Sequence, residues 1–359
     1  MQKVWIYLEN GTFLEANSFG ATGTSVGEIV FNTSMTGYQE ITTDPSYAGQ
    51  FVTFTMPEIG NVGVNVDDNE SAGVHCKGII VRSYNKDYSN YRATTDLASL
   101  LKDNNTLGIC DIDTRYITKM LRDEGAMMMI ASTLISDKEE LAKQLKASPR
   151  IEDINYIEQV STKDAYIHKL GAWNHSKQEY NKAMMSDKKI VVVDFGVKRN
   201  ILNELVESGL EVEVIPSSFN AQDLIDRFNK KEIGGIFLSN GPGDPLTLTA
   251  EKQEVQKLIN ANIPMFAICL GHQMLSIAHG FDTYKLKFGQ HGGNHPVANT
   301  SKVVEITAQN HNYNVPDSII EIAEITHQNL FDNTIEGVSY KNKDIFSVQH
   351  HPEASPGPH

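Results

Sequence analysis

The stretch Ile263-Pro264-Met265-Phe266-Ala267-Ile268-Cys269-Leu270-Gly271-His272-Gln273 is an apolar run that ends at a cysteine followed closely by a glycine. Residues 265–268 are typical of a fully buried parallel strand, and a helical pattern of apolar residues begins at Gly271. Cys269 is therefore expected at a strand-to-helix turn like the nucleophile elbow of hydrolases, where the helix N-terminus favours the thiolate. The alternative is a buried cysteine that only fills the core, and this stretch alone favours neither interpretation.

Composition limits the classes of protein that this chain can belong to. Its 359 residues are enough for two domains, and a formal net charge of −14 argues against a nucleic-acid-binding surface. Three scattered cysteines, Cys76, Cys110 and Cys269, do not form a disulfide framework and favour a reducing compartment. Residues 1–9 lack the apolar core of a signal peptide, and no apolar run approaches membrane-spanning length. We therefore expect a cytoplasmic protein.

Residues 1–150 are predicted to form an N-terminal α+β domain. Apolar residues at 4–8 and 12–16 flank Asn10-Gly11, which predicts a hairpin with a primed turn. Further short strands are predicted at 51–54 and 78–81. Helices are predicted after Thr95, between Asp113 and Gly125, and after Ser136, because a capping residue precedes each helical pattern.

The pattern changes after residue 150. Residues 151–188 lose periodicity and contain polar stretches, which indicates a loop-like linker. From 189 to 359, strands alternate with helices, the pattern of a doubly wound parallel α/β sheet. The first of these segments are strands at 190–195, 212–215 and 235–239 and helices at 199–207 and 221–228.

Candidate catalytic residues follow the carboxyl ends of these strands, where ligands bind in such sheets. Asn240-Gly241-Pro242-Gly243-Asp244-Pro245 follows one strand, and Cys269 follows the next. Two glycines allow close backbone approach and could aim an N–H at a developing oxyanion, although the same residues also favour ordinary turns. The proline breaks the G-x-G-x-x-G spacing, so we expect no nicotinamide cofactor.

The segment Ile345-Phe346-Ser347-Val348-Gln349-His350-His351-Pro352-Glu353-Ala354-Ser355 is another apolar strand that ends in polar residues. The spacing of His351 and Glu353 allows the carboxylate to orient the imidazole, and cysteine with an oriented histidine is a general catalytic arrangement. Considered alone, this segment favours a solvated strand end. Together with Cys269, it favours catalysis.

A metal site is the other use that these histidines could have. His291 and His295 lie in a predicted glycine-broken loop, His350 and His351 follow a strand, and neither pair has the spacing of a zinc motif. We therefore expect no metal on this chain.

Taken together, these residues resemble the class I, Cys-His-Glu glutamine amidotransferases, and more closely the carbamoyl phosphate synthetase small (glutaminase) subunit family. The general class is indicated by residues 240–245, by Ile268-Cys269-Leu270-Gly271-His272-Gln273 and by His351-Pro352-Glu353. The narrower family is indicated by longer matches across both halves of the chain. These are Gly27-Glu28-Ile29-Val30-Phe31-Asn32, Met35-Thr36-Gly37-Tyr38-Gln39-Glu40, Asp44-Pro45-Ser46-Tyr47, Gly60-Asn61-Val62-Gly63, His291-Gly292-Gly293-Asn294-His295-Pro296-Val297, Thr307-Ala308-Gln309-Asn310-His311 and residues 352–359.

The resemblance implies a role for individual residues. Cys269 would be the nucleophile, His351 the acid/base and Glu353 its orienting carboxylate. Backbone N–H groups near Leu270 and Gly241 would stabilise the oxyanion. L-Glutamine would be held by positions matching Ser46, Gly241, Gly243, Leu270, Gln273, Asn310, Asn312 and Tyr313.

The resemblance also implies a partner. The family passes ammonia to a large ATP-dependent subunit that makes carbamoyl phosphate from bicarbonate, so we expect a heterodimer, possibly in a higher oligomer. No cofactor is expected on this chain; ATP and divalent metal belong on the large subunit. The alternatives are another amidotransferase, disfavoured by the N-terminal domain with Ser46, and a non-catalytic binding subunit, disfavoured by the intact Cys269, His351 and Glu353.

The chain departs from the family pattern at three places. Ala267 and Asn312 stand where glycine is expected, and Asn312 is predicted to preserve a turn because asparagine tolerates left-handed backbone. The family continues into a final helix beyond the position of His359, so we expect either a trimmed sequence or different C-terminal packing.

Overall fold

A computed structural model describes residues 1–358 of the chain. These residues divide into two compact units. The first unit comprises residues 1–154, 286–294 and 355–357, and the second comprises residues 155–285 and 295–354 together with Pro358. Within residues 1–358, every helix is too short or too polar to cross a lipid bilayer.

The first unit is built on a closed β-barrel. Its strands are β1 (Gln2–Leu8), β2 (Phe13–Ser18), β3 (Thr24–Asn32), β4 (Gln50–Phe54), β5 (Glu58–Ile59), β6 (Gly78–Ile80), β7 (Ser83–Tyr84), β8 (Leu107–Cys110) and β9 (Met127–Ser132). The barrel runs β1-β2-β8-β6-β4-β3-β9, and β5 pairs with β7 separately. In β1 the alternate residues Val4, Ile6 and Leu8 are buried, the period expected of a strand with one face in the core. Closure leaves the barrel without a free edge.

Four helices of the described chain follow or interrupt these strands. They are α1 (Tyr38–Thr43), α2 (Leu97–Asp103), α3 (Thr114–Glu124) and α4 (Lys138–Ala147). Asp113 caps α3 and Gly125 follows it, as the sequence predicted. The cap of α2 is Asp96 rather than Thr95, and the cap of α4 is Asp137 rather than Ser136. In both cases a carboxylate next to the predicted hydroxyl accepts the backbone N–H hydrogen bond.

The hairpin between β1 and β2 has the predicted strands but not the predicted turn. A primed turn needs positive φ at one or both central residues, here Glu9 and Asn10, and neither has it. Gly11 has φ 90°, and its N–H donates to the carbonyl of Leu8 at 2.9 Å. The primed-turn prediction is wrong because the positive φ occurs at Gly11, one position after the two central residues of the turn.

The second unit is organised on a ten-stranded mixed sheet. Its strands are β10 (Tyr166–His168), β13 (Lys189–Asp194), β14 (Glu211–Pro216), β15 (Gly235–Leu238), β16 (Met265–Ile268), β17 (Tyr284–Asn299), β18 (Val304–Asn314), β19 (Ala323–Asn329), β20 (Ile335–Tyr340) and β21 (Ile345–Val348). Residues 286–294 of β17 are assigned to the first unit. Strands β11 (Leu170–Asn174) and β12 (Glu179–Lys182) form a separate hairpin. The order is β10-β14-β13-β15-β16-β21-β20-β19-β17-β18. Strands β14, β13, β15, β16 and β21 are parallel to one another.

Helices cover both faces of the parallel centre. They are α5 (Ile157–Val160), α6 (Arg199–Glu207), α7 (Ala221–Asn229), α8 (Thr249–Asn260) and α9 (Leu270–Ala278). Val191 and Val193 pack in one core cluster with residues of α8 and α9, whereas Val192 packs in another with residues of α6. Neighbouring residues of β13 thus face opposite helical layers. The predicted α/β class, a C-terminal doubly wound sheet preceded by an α+β N-terminal domain, is confirmed.

Two segments differ from the predicted loops. Residues 151–188 contain β10, β11 and β12, and β10 pairs antiparallel with β14. The short strands of this segment carry many polar residues, which hid their pairing in the sequence. His291 and His295 lie within β17 rather than in a glycine-broken loop. Glycine allows a close approach there, because a Cβ on Gly292 would lie 2.1 Å from Oγ1 of Thr33.

Candidate active site

Cys269 occupies a strained turn between β16 and α9. Its backbone angles are φ 53° and ψ −106°, which a non-glycine residue rarely adopts. Its N–H donates to the carbonyl of Val348 at 2.9 Å, which ties the turn to the neighbouring strand β21. At Gly271, an added Cβ would lie 2.3 Å from the Leu238 carbonyl oxygen. The glycine therefore lets the first turn of α9 approach β15, and the cysteine is held at a nucleophile elbow as predicted.

The loop after β15 packs against the start of α9. A Cβ on Gly241 would lie 2.3 Å from the carbonyl oxygen of Phe195 and 2.8 Å from Cδ2 of Leu270. Gly243 has φ 89°, which suits glycine alone. Leu270 is the first residue of α9, so its N–H lacks an acceptor within the helix. The two predicted oxyanion positions, Gly241 and Leu270, are therefore neighbours.

His351 and Glu353 form a buried pair immediately beyond β21. Nδ1 of His351 lies 2.7 Å from Oε1 of Glu353, and the His351 N–H donates to the Ala308 carbonyl at 2.9 Å. Nε2 of His351 makes no hydrogen bond of ordinary geometry with the described residues. The backbone of His351 and the sulfur of Cys269 contact carbonyls two residues apart in β18, those of Ala308 and Asn310. The free ring nitrogen is thus available for chemistry at the cysteine.

Charges around this pair favour an imidazolium beside a carboxylate. Burial disfavours the charged form of His351, but the Glu353 carboxylate and the Cys269 sulfur outweigh burial and raise the pKa of the imidazole. Burial would also raise the pKa of Glu353, but the positive charges of Lys198 and His351 hold that pKa below its ordinary value. The arrangement therefore favours the protonated form of His351.

Lys198 is a site residue that the sequence analysis missed. Its Nζ lies 2.8 Å from Oε1 of Glu353, and the side chains of both residues are almost completely buried. Nζ also donates to the Ala354 carbonyl at 2.5 Å, and the Lys198 N–H donates to Oδ1 of Asn240 at 3.1 Å. The signal that could have identified it is its position just beyond the end of β13, at the same sheet edge as Cys269.

We expect Lys198→Met to destabilise the fold and to lower turnover. Removing one partner of a buried ion pair leaves Glu353 without its lysine, which costs roughly 3–5 kcal/mol. The pKa of Glu353 should rise, because the lysine lowers it. Chemical denaturation and the pH dependence of turnover measure these effects. Lys230→Met, at an exposed lysine, is the control; equal effects of the two substitutions would contradict the assignment.

The remaining predicted residues of the second unit lie around the elbow. Sγ of Cys269 lies 3.5 Å from the Asn310 carbonyl oxygen, and Nε2 of Gln273 donates to the Tyr313 carbonyl at 2.8 Å. Asn310, Asn312 and Tyr313 are all buried in β18. The structure therefore brings these positions together with Leu270 and the cysteine.

Three other residues of the sequence analysis have separate positions. Ser46 lies in the first unit, in the short 3₁₀-helix Pro45–Tyr47, where its N–H donates to Oδ1 of Asp44 at 2.8 Å. Ala267 is buried inside β16 and not at the strained residue of the elbow. Asn312 lies in β18 and does not have positive φ, so the turn predicted there is absent and no left-handed backbone is needed.

The adjacent histidine, His350, does not share the environment of His351. Its Nδ1 lies 3.8 Å from Oε2 of Glu336 and makes no hydrogen bond with the described residues. Burial lowers the pKa of His350 to about 3, whereas burial raises the pKa of Glu336 to about 8. His350 is therefore a neutral buried residue, and the geometry distinguishes the two histidines that the sequence places side by side.

Comparison with known proteins identifies the family to which this chain belongs. Residues 6–131 match the family model for the carbamoyl-phosphate synthase small chain, CPSase domain, and residues 191–359 match glutamine amidotransferase class-I. A Helicobacter hepaticus protein called carbamoyl phosphate synthase small chain is 59% identical over 359 residues, covering 100% of this chain and 95% of that protein. The chain belongs to the carbamoyl phosphate synthase small chain family.

A less similar relative supports the same assignment. The carbamoyl phosphate synthase small chain of Escherichia coli K12 is 45% identical over 361 residues, covering 99% of this chain and 93% of that protein. The resemblance inferred from the sequence motifs is confirmed. As a member of this family with a class I glutamine amidotransferase domain, the protein has glutamine amidotransferase activity.

Proposed function

We propose that the chain hydrolyses L-glutamine at Cys269 and delivers the ammonia to a large ATP-dependent subunit. The observation that carries this proposal is the position of Cys269 on a strained elbow that is hydrogen-bonded to Val348, the last residue of β21, just before the buried row of His351, Glu353 and Lys198. A nucleophile, an oriented acid/base and neighbouring backbone N–H groups are the components that acyl transfer requires.

In the first half of the proposed reaction, the thiolate of Cys269 attacks the side-chain amide carbon of glutamine. The N–H groups of Leu270 and the Gly241 loop stabilise the resulting oxyanion. His351 donates its proton to the amide nitrogen as the C–N bond breaks, so ammonia leaves and a thioester remains.

In the second half, neutral His351 takes a proton from water, whose oxygen attacks the thioester. The C–S bond breaks, glutamate leaves, and the thiolate and imidazolium are restored. Glu353 orients the imidazole and stabilises its charge throughout, while Lys198 positions Glu353.

The proposed glutamine-binding residues of the second unit are Gly241, Gly243, Leu270, Gln273, Asn310, Asn312 and Tyr313. Backbone and amide groups dominate this set, which suits a zwitterionic amino acid with both donors and acceptors. Ser46, in the first unit, remains a prediction from the family resemblance.

The proposed partner completes the synthesis. The large subunit makes carbamoyl phosphate from bicarbonate, ATP and the delivered ammonia, for arginine or pyrimidine biosynthesis or both. We assign large-subunit docking to the domain of residues 1–150, and ATP and divalent metal to the partner. A heterodimer is the smallest assembly that this division of labour requires.

We expect the isolated chain to be a poor glutaminase that the large subunit activates. Ammonia released to bulk water is mostly protonated at neutral pH, so hydrolysis without a receiver wastes glutamine. Partner binding can activate the site through preferential affinity for its active arrangement, and activation should then saturate at the stoichiometry of the complex.

Titration of the purified large subunit against a fixed amount of this chain tests the expectation, with glutamate release followed in the presence of bicarbonate and ATP. The Cys269→Ser variant, titrated in the same way, is the control for contaminating glutaminase. A rate that stays flat, or is already maximal without the partner, contradicts the coupling and indicates a stand-alone hydrolase.

A further inference from the structure

Gln349 is a buried amide in direct contact with the candidate site. It follows β21 directly and is fully buried, and its N–H donates to the Glu336 carbonyl at 2.8 Å. Its Oε1 accepts a hydrogen bond from Nε2 of Gln273 at 3.1 Å. Gln349 therefore contacts directly one of the proposed glutamine-binding residues.

The orientation of the Gln273 carboxamide follows from its two partners. Nε2 of Gln273 also donates to the Tyr313 carbonyl at 2.8 Å, and a carbonyl oxygen can only accept. The nitrogen of Gln273 must therefore face Tyr313 and Gln349, and both of its N–H groups are engaged. Its oxygen remains as the group that a ligand can contact.

The orientation of the Gln273 carboxamide also determines the orientation of the Gln349 carboxamide. Because Gln349 must present its oxygen to Gln273, its own Nε2 is turned away, and this buried nitrogen has no hydrogen-bond partner among the described residues. Native proteins rarely leave a buried donor unsatisfied, because desolvation without a hydrogen bond is costly. An apolar side chain at position 349 would avoid the cost of the unsatisfied nitrogen. The presence of an amide there therefore indicates a use for the amide oxygen.

We infer that Gln349 is a positioning residue, which holds the Gln273 carboxamide so that its Oε1 accepts a hydrogen bond from the α-ammonium group of L-glutamine. The inference rests on the proposed function. Outside the reacting amide, glutamine offers an ammonium group, which only donates, and a carboxylate, which only accepts. An oxygen presented by the enzyme selects the ammonium group, so Gln349 contributes to the selection of an α-amino acid amide.

The test compares L-glutamine with glutaramate, which has the same reacting amide and carboxylate but no α-amino group. Ammonia release gives kcat/KM for both substrates, with the chain assembled with its large subunit. Gln349→Met removes the acceptor at similar volume, so kcat/KM for glutamine should fall about tenfold, while the value for glutaramate changes less than twofold. Gln349→Glu keeps an acceptor oxygen and should retain the wild-type preference.

The outcomes are distinguishable. Equal falls for both substrates, or an unchanged preference in Gln349→Met, overturn the inference while leaving glutamine hydrolysis intact. If Gln349→Met does not unfold cooperatively, Gln349→Ala is the second removal variant, and the same loss of preference is expected of it. A wild-type assembly that hydrolyses neither substrate overturns the proposed function itself, and with it the role of Gln349.

Discussion

Replacing Cys269 with serine should abolish glutamine-dependent synthesis while leaving ammonia-dependent synthesis intact. A serine hydroxyl is a much weaker nucleophile than a thiolate here, and loss of a nucleophile typically lowers turnover by about a thousandfold or more. The substitution changes one atom, and a hydroxyl can still donate to the Asn310 carbonyl that the thiol contacts. Synthesis from added ammonia bypasses the site and should therefore proceed at the wild-type rate.

Glutamate release and carbamoyl phosphate formation measure the two activities of the assembled enzyme. Cys76→Ser is the control, because Cys76 is a buried core residue of the first unit. A Cys269→Ser enzyme that hydrolyses glutamine at close to the wild-type rate would exclude Cys269 as the nucleophile. Equal losses of both activities would instead indicate a damaged assembly.

His351→Asn should lower glutamine turnover far more than Glu353→Gln does. His351 moves the proton, whereas Glu353 acts through His351, and orienting groups usually cost less to remove. We expect losses on the order of a millionfold for His351→Asn and on the order of ten-thousandfold for Glu353→Gln. Equal, near-complete losses would show that Glu353 does more than orient the imidazole.

The pH dependence provides a second readout of the same pair. The Glu353 carboxylate raises the pKa of His351, so a neutral glutamine at 353 should lower that pKa. Because protonated His351 is the proposed acid, activity should be lost at lower pH in Glu353→Gln than in the wild type. Glu353→Gln also leaves Lys198 buried without a counter-charge, so Glu353→Gln/Lys198→Met is the control that separates stability from catalysis. An alkaline limb that does not move would contradict the assigned acid.

The sequence predicted the parts of the site that depend on local order. An apolar run, a cysteine and a glycine predicted the elbow, because strand length and glycine spacing are properties of adjacent residues. The pairing of His351 with Glu353 was predictable for the same reason, since two residues of separation fix their distance. Helix α6 was predicted with its observed bounds, because its apolar face is periodic.

Residues that act across the sheet were not predictable in this way. Lys198 and Glu353 are 155 positions apart, and only the neighbouring ends of the strands bring their charges together. Gln349 depends on an acceptor in β18 and an amide in α9, so its role is invisible without the fold. The strands of residues 151–188 were missed because polar edge pairing leaves little hydrophobic pattern.

Covalent labelling with a glutamine-analogue electrophile tests whether Cys269 is the nucleophile. The three cysteines are all buried, so burial alone would not favour Cys269. Burial raises the pKa of both Cys76 and Cys110 to about 12, however, and only Cys269 lies at the strained turn that begins α9. With 6-diazo-5-oxo-L-norleucine and peptide mass spectrometry, we expect one adduct per chain, on Cys269, formed in step with the loss of glutaminase activity and slowed by L-glutamine. An adduct on Cys76 or Cys110, or full inactivation with Cys269 unmodified, would contradict this expectation.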